Sequence, residues 1–490
     1  MLTIFKRRLL SLWISWILLM RSIQKIRIGF FTFIHRSFVL QTQRDTWPLT
    51  DEQIDRNVDE FLLAIDEDAL RSLASEHHNN QTCEIKARHR GSFNTCFVLE
   101  FSDQSTRIIR IPHEPAVQDA WDKMRSEVST MRYLRRKTTI PVPVIYMYGR
   151  SQLRRDTSEL QCFMILEHIK GQSLTKTTLK GSSEPHRRQF LEQLIDLFAE
   201  LRKLPFTQGG SLVQGDAENT LDLVGAFSMR KSELHAAGHT VSRSLNATPQ
   251  EFFQDQRCLL HQMWTVPEKR LGYEQAERQE FALQFISQPE VEERLAIQSS
   301  DKTFFLAHPD LRCQNILVDD ELNIRGVIDW EYTATVPRCA SIPPTWITGN
   351  DKGLPDLSSE FLRVLSSTRQ KSEYHSQLAA DWGFQDPLRW SILHVLIDPV
   401  DLDFIFQQNI LRNIPALCGI PSPDPLQMRR NVDQRLETSR RYTKYLQDNS
   451  LDEEGHYEKM ERLLRSSQAM IRDLEAGPFP PKNSGRIAQL

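Results

Sequence analysis

Acidic residues are missing from the start of this 490-residue chain: none precedes Asp45, while Lys6, Arg7, Arg8, Arg21, Lys25, Arg27, Arg36 and Arg44 are all basic. Long apolar runs are missing too. The longest nearly continuous one, Leu9–Met20, is too short for a comfortable membrane span, which needs about 20 residues. No A-x-A-like cleavage site follows it; Arg21 does. Cysteines number only seven, scattered and odd in count, with no C-x-x-C pair. That argues against a zinc site or a disulfide framework and for a reducing compartment. A net charge of −3 leaves no general nucleic-acid footprint. No internal repeat of fixed period is visible by eye.

What is present is ordinary in composition and concentrated in one stretch. The length exceeds one average domain and can bury a large core. Phe304 to Glu331 reads FFLAHPDLRCQNILVDDELNIRGVIDWE. Its pattern predicts a buried strand over Phe304–Ala307, a loop over His308–Gln314, a strand over Ile316–Val318, a polar turn over Asp319–Asn323 and a returning strand over Ile324–Ile328. Such a hairpin brings Asn315 near Asp329. Mg²⁺ takes hard oxygen ligands, usually one or two carboxylates plus substrate phosphates and water, and Asp329 with the Asn315 amide oxygen supply two of them. Asp310, five residues before Asn315, is placed to accept a proton from a substrate hydroxyl while the metal holds a nucleoside triphosphate.

The motifs His308-Pro309-Asp310-Leu311-x-x-x-Asn315-Ile316-Leu317-Val318 and Val327-Ile328-Asp329-Trp330-Glu331, their Asp residues nineteen apart, resemble those of the aminoglycoside phosphotransferase-like superfamily of small-molecule kinases (the choline kinase type included). More closely the chain looks like that superfamily's large fungal branch. The resemblance covers about 84–349 and, more faintly, the remainder. It implies an α+β, bilobal, protein-kinase-like fold: a small lobe over 50–170 with an antiparallel sheet and a helix, and a mainly helical large lobe over 171–476 carrying a catalytic segment at 306–331. It implies ATP and Mg²⁺, a small-molecule hydroxyl acceptor and no nucleic acid. His308 is expected to hold the catalytic loop by bonding backbone. Arg312 is expected to bring positive charge toward the transferring phosphate, and Glu331 to assist metal or acceptor.

In the small lobe, Asp51 to Leu73 reads as one helix capped by Thr50. Three strands are expected at 84–88, 95–101 and 107–111. The turn between the first two carries Gly91, Ser92 and Asn94 and can fold over phosphates. Kinases usually place a phosphate-contacting Lys in the third strand; here it is Arg110, which is expected to hold the phosphates in that role and stays cationic but has a larger, forked head. Glu127 lies beside a helical stripe of Met124, Val128, Met131 and Leu134 and is the expected partner of Arg110. The strand 162–167 leads, by the resemblance, into a hinge from Glu167 to Ile169 where backbone groups hold an adenine.

Farther on, helices are expected at 186–204, 251–264 and 275–286, with 209–245 as loop and short strands. The segment 388–406 is apolar and broken at Pro399, amphipathic helices follow at 424–447 and 454–476, and 477–490 reads as a disordered tail. Asp216 and Glu218 are left without a role. The arm over 1–45 fits an unstructured extension, a mitochondrial presequence or an interfacial membrane anchor. The expected location is intracellular and cytoplasmic, or mitochondrial or membrane-associated through that arm. A catalytically weak pseudokinase, serving as a nucleotide-binding or scaffold protein, is the alternative function.

Overall fold

The computed structural model describes residues 47–215, 220–241, 243–295, 301–348, 357–383, 387–398, 405–411 and 423–452. The arm over 1–45, Asp216, Glu218 and the expected helix and tail over 454–490 lie outside the described residues.

The chain enters through helix α1 (Asp51–Leu63), capped as expected: Thr50 Oγ1 accepts from the Gln53 N–H, and the Gln53 side chain accepts from the Thr50 N–H. The single helix expected to Leu73 is instead two. Ala64 and Asp66 pair with a distant segment, Asp66 N–H donating to Leu153 O (2.8 Å) and Arg155 N–H to Ala64 O (2.9 Å). Asp66 then caps α2 (Glu67–Glu76) by accepting from the Asp68 N–H. Tertiary pairing has overridden local helix propensity.

Five antiparallel strands follow in the order β1-β2-β3-β5-β4: β1 (Cys83–Arg90), β2 (Asn94–Phe101), β3 (Thr106–Pro112), β4 (Ile145–Ser151) and β5 (Gln161–Glu167). Side-chain alternation gives the sheet two faces. Phe97, Leu99, Ile109, Ile111, Phe163 and Ile165 pack against Val58, Phe61, Leu62 and Leu70 of the first two helices. Met164 and Leu166 pack on the other face with Met124, Val128, Met131 and Leu134 of α3 (Ala120–Lys137). Each such side chain contributes about 1.5–3 kcal/mol through burial. Arg110 stands between Cys96 on β2 and Met164 on β5, in the middle of the sheet and on the α3 face.

Most of the remaining described structure is helical. The long helix α4 (Glu184–Arg202) buries Phe190, Leu191, Leu194 and Ile195. A helix α5 (Met229–Ala236) occupies part of the stretch read as loop and strands. Then come α6 (Pro249–Thr265), whose Thr248 cap accepts from the Glu251 N–H, α7 (Tyr273–Ile286), α8 (Ser358–Thr368), α9 (Glu373–Trp382), α10 (Pro387–Ile397) and α11 (Pro425–Asp448). Short strands run through this helical part: β6 (Gln172–Ser173), β7 (Pro205–Phe206), β8 (Ser211–Gln214), β9 (Leu221–Val224), β10 (Phe304–Ala307), β11 (Ile316–Val318), β12 (Ile324–Val327) and β13 (Ala334–Pro337). A small antiparallel lobe with its helix, followed by a larger helical lobe, is the bilobal kinase-like arrangement. No described helix is long and apolar enough to cross a membrane.

Candidate active site

The catalytic segment folds as a hairpin. β11 and β12 pair antiparallel, Ile316 opposite Val327. The Ile328 N–H donates to Asn315 O (3.0 Å), so the two ends of the hairpin meet where Asn315 enters and Asp329 leaves. Two buried tryptophans fix this backbone. The Trp330 indole N–H donates to Val327 O (2.9 Å) and that of Trp346 to Leu311 O (2.8 Å).

His308 ties the loop to the hairpin. Its Nδ1 accepts from the Asp310 N–H (3.2 Å), which leaves the proton on Nε2, and Nε2 donates to Ile328 O (3.0 Å). Burial pushes the imidazole below its usual range, so it stays neutral and keeps this tautomer. Asn315 Nδ2 donates to Asp310 O (2.7 Å) and, more weakly, to Asp310 Oδ2 (3.3 Å). Its amide oxygen is left as the acceptor end. Arg312 is exposed, and its Nη2 donates to Asp310 Oδ2 (2.5 Å).

Asp329 departs from ordinary backbone geometry, with φ +67°, and Tyr332 follows at φ +58°. Left-handed backbone is costly for residues with a Cβ, less so for Asp. The turn carries Asp329 and Glu331 toward β3 and α3. There Arg110 bonds Glu127 Oε1 through Nη1, while its Nη2 reaches Asp329 Oδ1 (2.7 Å) and Glu331 Oε2 (2.9 Å). The expected Arg110–Glu127 pair therefore forms, and it extends to the hairpin. Lys123, one helical turn before Glu127, also bonds Glu331 Oε2, as does Asn94 Nδ2 (2.8 Å).

Two cations thus face three carboxylates, and the carboxylates divide them unequally. Against the burial that raises it, Lys123 and Arg110 hold Glu331 down to about 2. Asp329 has one arginine contact, and burial with the Glu331 charge pushes it up to about 7. Burial raises Glu127 as well, with Arg110 opposing. Arg110 itself is kept protonated by the three acids although burial opposes its charge.

Residues 91–93 form the β1–β2 turn, closed by the Gly91 N–H donating to Asn94 O (2.8 Å). His113 braces it from the end of β3. Its Nδ1 donates to Ser92 O (3.2 Å), its Nε2 accepts from the Thr95 hydroxyl (2.9 Å), and burial lowers it to about 4. Phe93 meets Tyr332 edge-on at 5.4 Å. Glu167 ends β5 and accepts from the Val144 N–H through Oε2 (3.0 Å), so its side chain holds the strand junction. Ile169 lies over Gly326, where an added Cβ would come within 2.7 Å of it.

The fold thereby links Asn94, Arg110, Glu127, Asp329 and Glu331 in one network, and His308, Asp310, Arg312 and Asn315 in a second, joined through Ile328 and its neighbours. Gly91 bonds Asn94 of the first network through its backbone and Ser92 is braced by His113, while Glu167 bonds Val144 and Ile169 lies on Gly326 instead. Sequence reasoning missed Lys123 and His113. For Lys123 the spacing Lys-x-x-x-Glu, which puts it on the face of Glu127, was the available signal. For His113, just past the end of β3, no comparable signal exists.

A Mg²⁺ ion carried by a nucleotide needs few protein ligands. Among the described residues no group of three or more His, Cys, Asp or Glu is arranged to hold a metal by itself. Asp329, whose side chain is 30% exposed, and the free amide oxygen of Asn315 fit the smaller requirement.

The chain is 22% identical over 284 residues to the clavilactone A biosynthesis cluster protein Y of Ampulloclitocybe clavipes, covering 54% of this chain and 63% of that one. It is 27% identical over 146 residues to the mitochondrial altered inheritance of mitochondria protein 9 of Debaryomyces hansenii, covering 28% and 22%. The chain therefore spans less than two thirds of these curated relatives. Among solved structures, the streptomycin–ATP–APH(2″)-IIa ternary complex is similar at 14% identity and a TM-score of 0.40, over 72% of this chain and 96% of that one. The macrolide 2′-phosphotransferase MphH apoenzyme from Brachybacterium faecium is similar at 15% identity and 0.35, over 73% and 100%. Residues 84–340, more than half of the chain, match the Phosphotransferase enzyme family, and the protein belongs to that family.

Proposed function

We propose that the protein transfers the terminal phosphoryl group of a nucleoside triphosphate, ATP, to a hydroxyl of a small molecule, in a magnesium-dependent reaction. The observation that carries this reading is the Arg110–Asp329 contact of 2.7 Å, which ties the centre of the small-lobe sheet to the metal-ligand candidate beside the catalytic hairpin. In this reading the lobes run 50–170 and 171–476, and the nucleotide lies between them.

Most catalysis of phosphoryl transfer is positioning and charge neutralisation. Asp310 orients the acceptor hydroxyl and takes its proton as the oxygen attacks phosphorus. His308 and Asn315 hold the loop so that this carboxylate faces the acceptor. Arg312 begins on Asp310 and brings positive charge beside the phosphoryl group. Arg110, braced by Glu127, keeps Asp329 in place, and residues 91–94 lie over the phosphates. Asp329 and Asn315 would hold Mg²⁺, which supplies neutralisation of phosphate charge when bound. The backbone from Glu167 to Ile169 holds the base.

A nucleotide-binding scaffold is the second reading, favoured by one observation: both functional carboxylates are engaged by arginines, Asp329 by Arg110 and Asp310 by Arg312. The test is to titrate Mg-ATP into the full chain and follow thermal unfolding, with Asp329→Asn beside it. A ligand that binds the native state raises the midpoint by mass action. A magnesium-dependent rise lost in the variant, followed by phosphate transfer within a panel of hydroxyl compounds, supports the kinase. A rise without transfer supports the scaffold, and no rise in the wild type removes both.

A further inference from the structure

Lys123 is the charged group that the scheme above leaves without a task. It is 3% exposed, and its ammonium bonds Glu331 Oε2 and sits 4.6 Å from the centre of the Tyr332 ring. Burying such a pair is costly, and well-packed apolar residues often serve stability as well or better. A lysine kept there for packing alone is poorly explained.

The two cations of the site differ in their freedom. Arg110 is spent: one nitrogen is on Glu127 and the other spans Asp329 and Glu331, so its planar fork is fixed by three acids. Lys123 carries three donors on a rotatable stem and acts as a point charge. The oxygen it contacts is oversubscribed, since Glu331 Oε2 also accepts from Arg110 and Asn94. If Lys123 leaves, Glu331 keeps two donors. Release of the ammonium therefore leaves no orphaned carboxylate behind. Asn94, which shares that oxygen, opens β2 directly after the turn that the proposed function sets over the phosphates, so the ammonium is already beside the place where phosphate arrives.

We propose that Lys123 is a phosphate-binding residue, whose ammonium moves from Glu331 to a non-bridging phosphate oxygen of the nucleotide. It fills the place of a small mobile cation that Arg110, committed to three carboxylates, does not fill. This rests on the phosphotransferase reading of the same site and adds to it the source of the phosphate contact.

The experiment measures dissociation constants of full-length wild type and Lys123→Met for Mg-ATP and for adenosine. Loss of one charge-assisted bond predicts about 10- to 100-fold weaker Mg-ATP binding. Adenosine, without phosphates, is expected to bind both proteins alike. Equal weakening of both ligands, or of neither, overturns the proposal. A second measurement needs only the wild type: an ATP acyl phosphate, which transfers its acyl group to a lysine beside the phosphates, followed by peptide mass spectrometry. Acylation at Lys123 that excess Mg-ATP suppresses is expected. Acylation confined to other lysines overturns the proposal however the variant folds. A wild type that binds no Mg-ATP brings down the phosphotransferase reading together with the inference. A wild type that binds it, with Lys123→Met unaffected, brings down the inference alone.

Discussion

Magnesium binding at the proposed site should depend on pH across the physiological range, because its proposed carboxylate ligand, Asp329, is pushed up to about 7. A proton on Asp329 competes with the cation. With a midpoint near 7, about 90% of the carboxyl is ionised at pH 8 and about 10% at pH 6, so apparent Mg²⁺ affinity should fall roughly tenfold between them. An aspartate at its ordinary value would add nothing to the change that the phosphate's own titration brings. The sign for stability is opposite to that of a salt-bridged acid. The folded state holds this proton more tightly than the unfolded chain, so the group's contribution is lost as pH rises through about 7. The assay is calorimetric Mg²⁺ titration at fixed ATP, counting protons released at each pH, in wild type and Glu331→Gln. Glu331 is, after burial, the next cause of the shift, so removing its charge should move the midpoint to lower pH. The phosphate's own titration is common to both proteins and drops out of the difference. Equal Mg²⁺ affinity at pH 6 and 8 in the wild type, or identical profiles for both proteins, would refute the assignment of Asp329 as a strained, charge-crowded ligand.

Two further substitutions separate chemistry from architecture. Asp310→Asn should lower turnover by roughly 10²–10⁴-fold while leaving the thermal midpoint close to wild type, since this carboxylate's charged partner is the exposed Arg312; wild-type turnover would remove Asp310 from the proton-transfer role. Arg110→Lys should destabilise the fold by about 3 kcal/mol in urea unfolding, because one ammonium cannot span Glu127, Asp329 and Glu331 together. An unchanged urea midpoint would show that the fork is not the junction it looks to be.

Much of the site was legible because its parts lie close in sequence or on regular periods. The D-x-x-x-x-N spacing and the short apolar runs suffice to predict three strands and the hairpin over 316–328, and the observed strands follow that reading to within a residue. The apolar stripe of α3 was enough to aim Glu127 at β3. Lys123 escaped because that stripe was traced through apolar residues only, and a lysine reads as solvent-facing unless its acid partner, Glu331, is known. The break at Ala64–Asp66 depends on pairing with Leu153 and Arg155, which no local pattern encodes. Helix α5 escaped for a related reason: its sequence, MRKSELHA, has weak apolar periodicity, and its buried Lys231 is held by Asp255 of the following helix (3.0 Å).

The left-handed backbone at Asp329 restricts how the position can be interrogated and how it can drift. In the proposed role a residue there must satisfy two demands at once, a ligand oxygen and tolerance of positive φ. Alanine fails both, adding roughly 1 kcal/mol or more of conformational strain to the loss of the carboxylate. Asparagine fails mainly the charge, since Asn visits this region readily. Change at 329 that spares the backbone is thereby funnelled toward Asn or Gly, neither of which keeps the carboxylate, and an inactive alanine variant would confuse a distorted loop with a missing ligand.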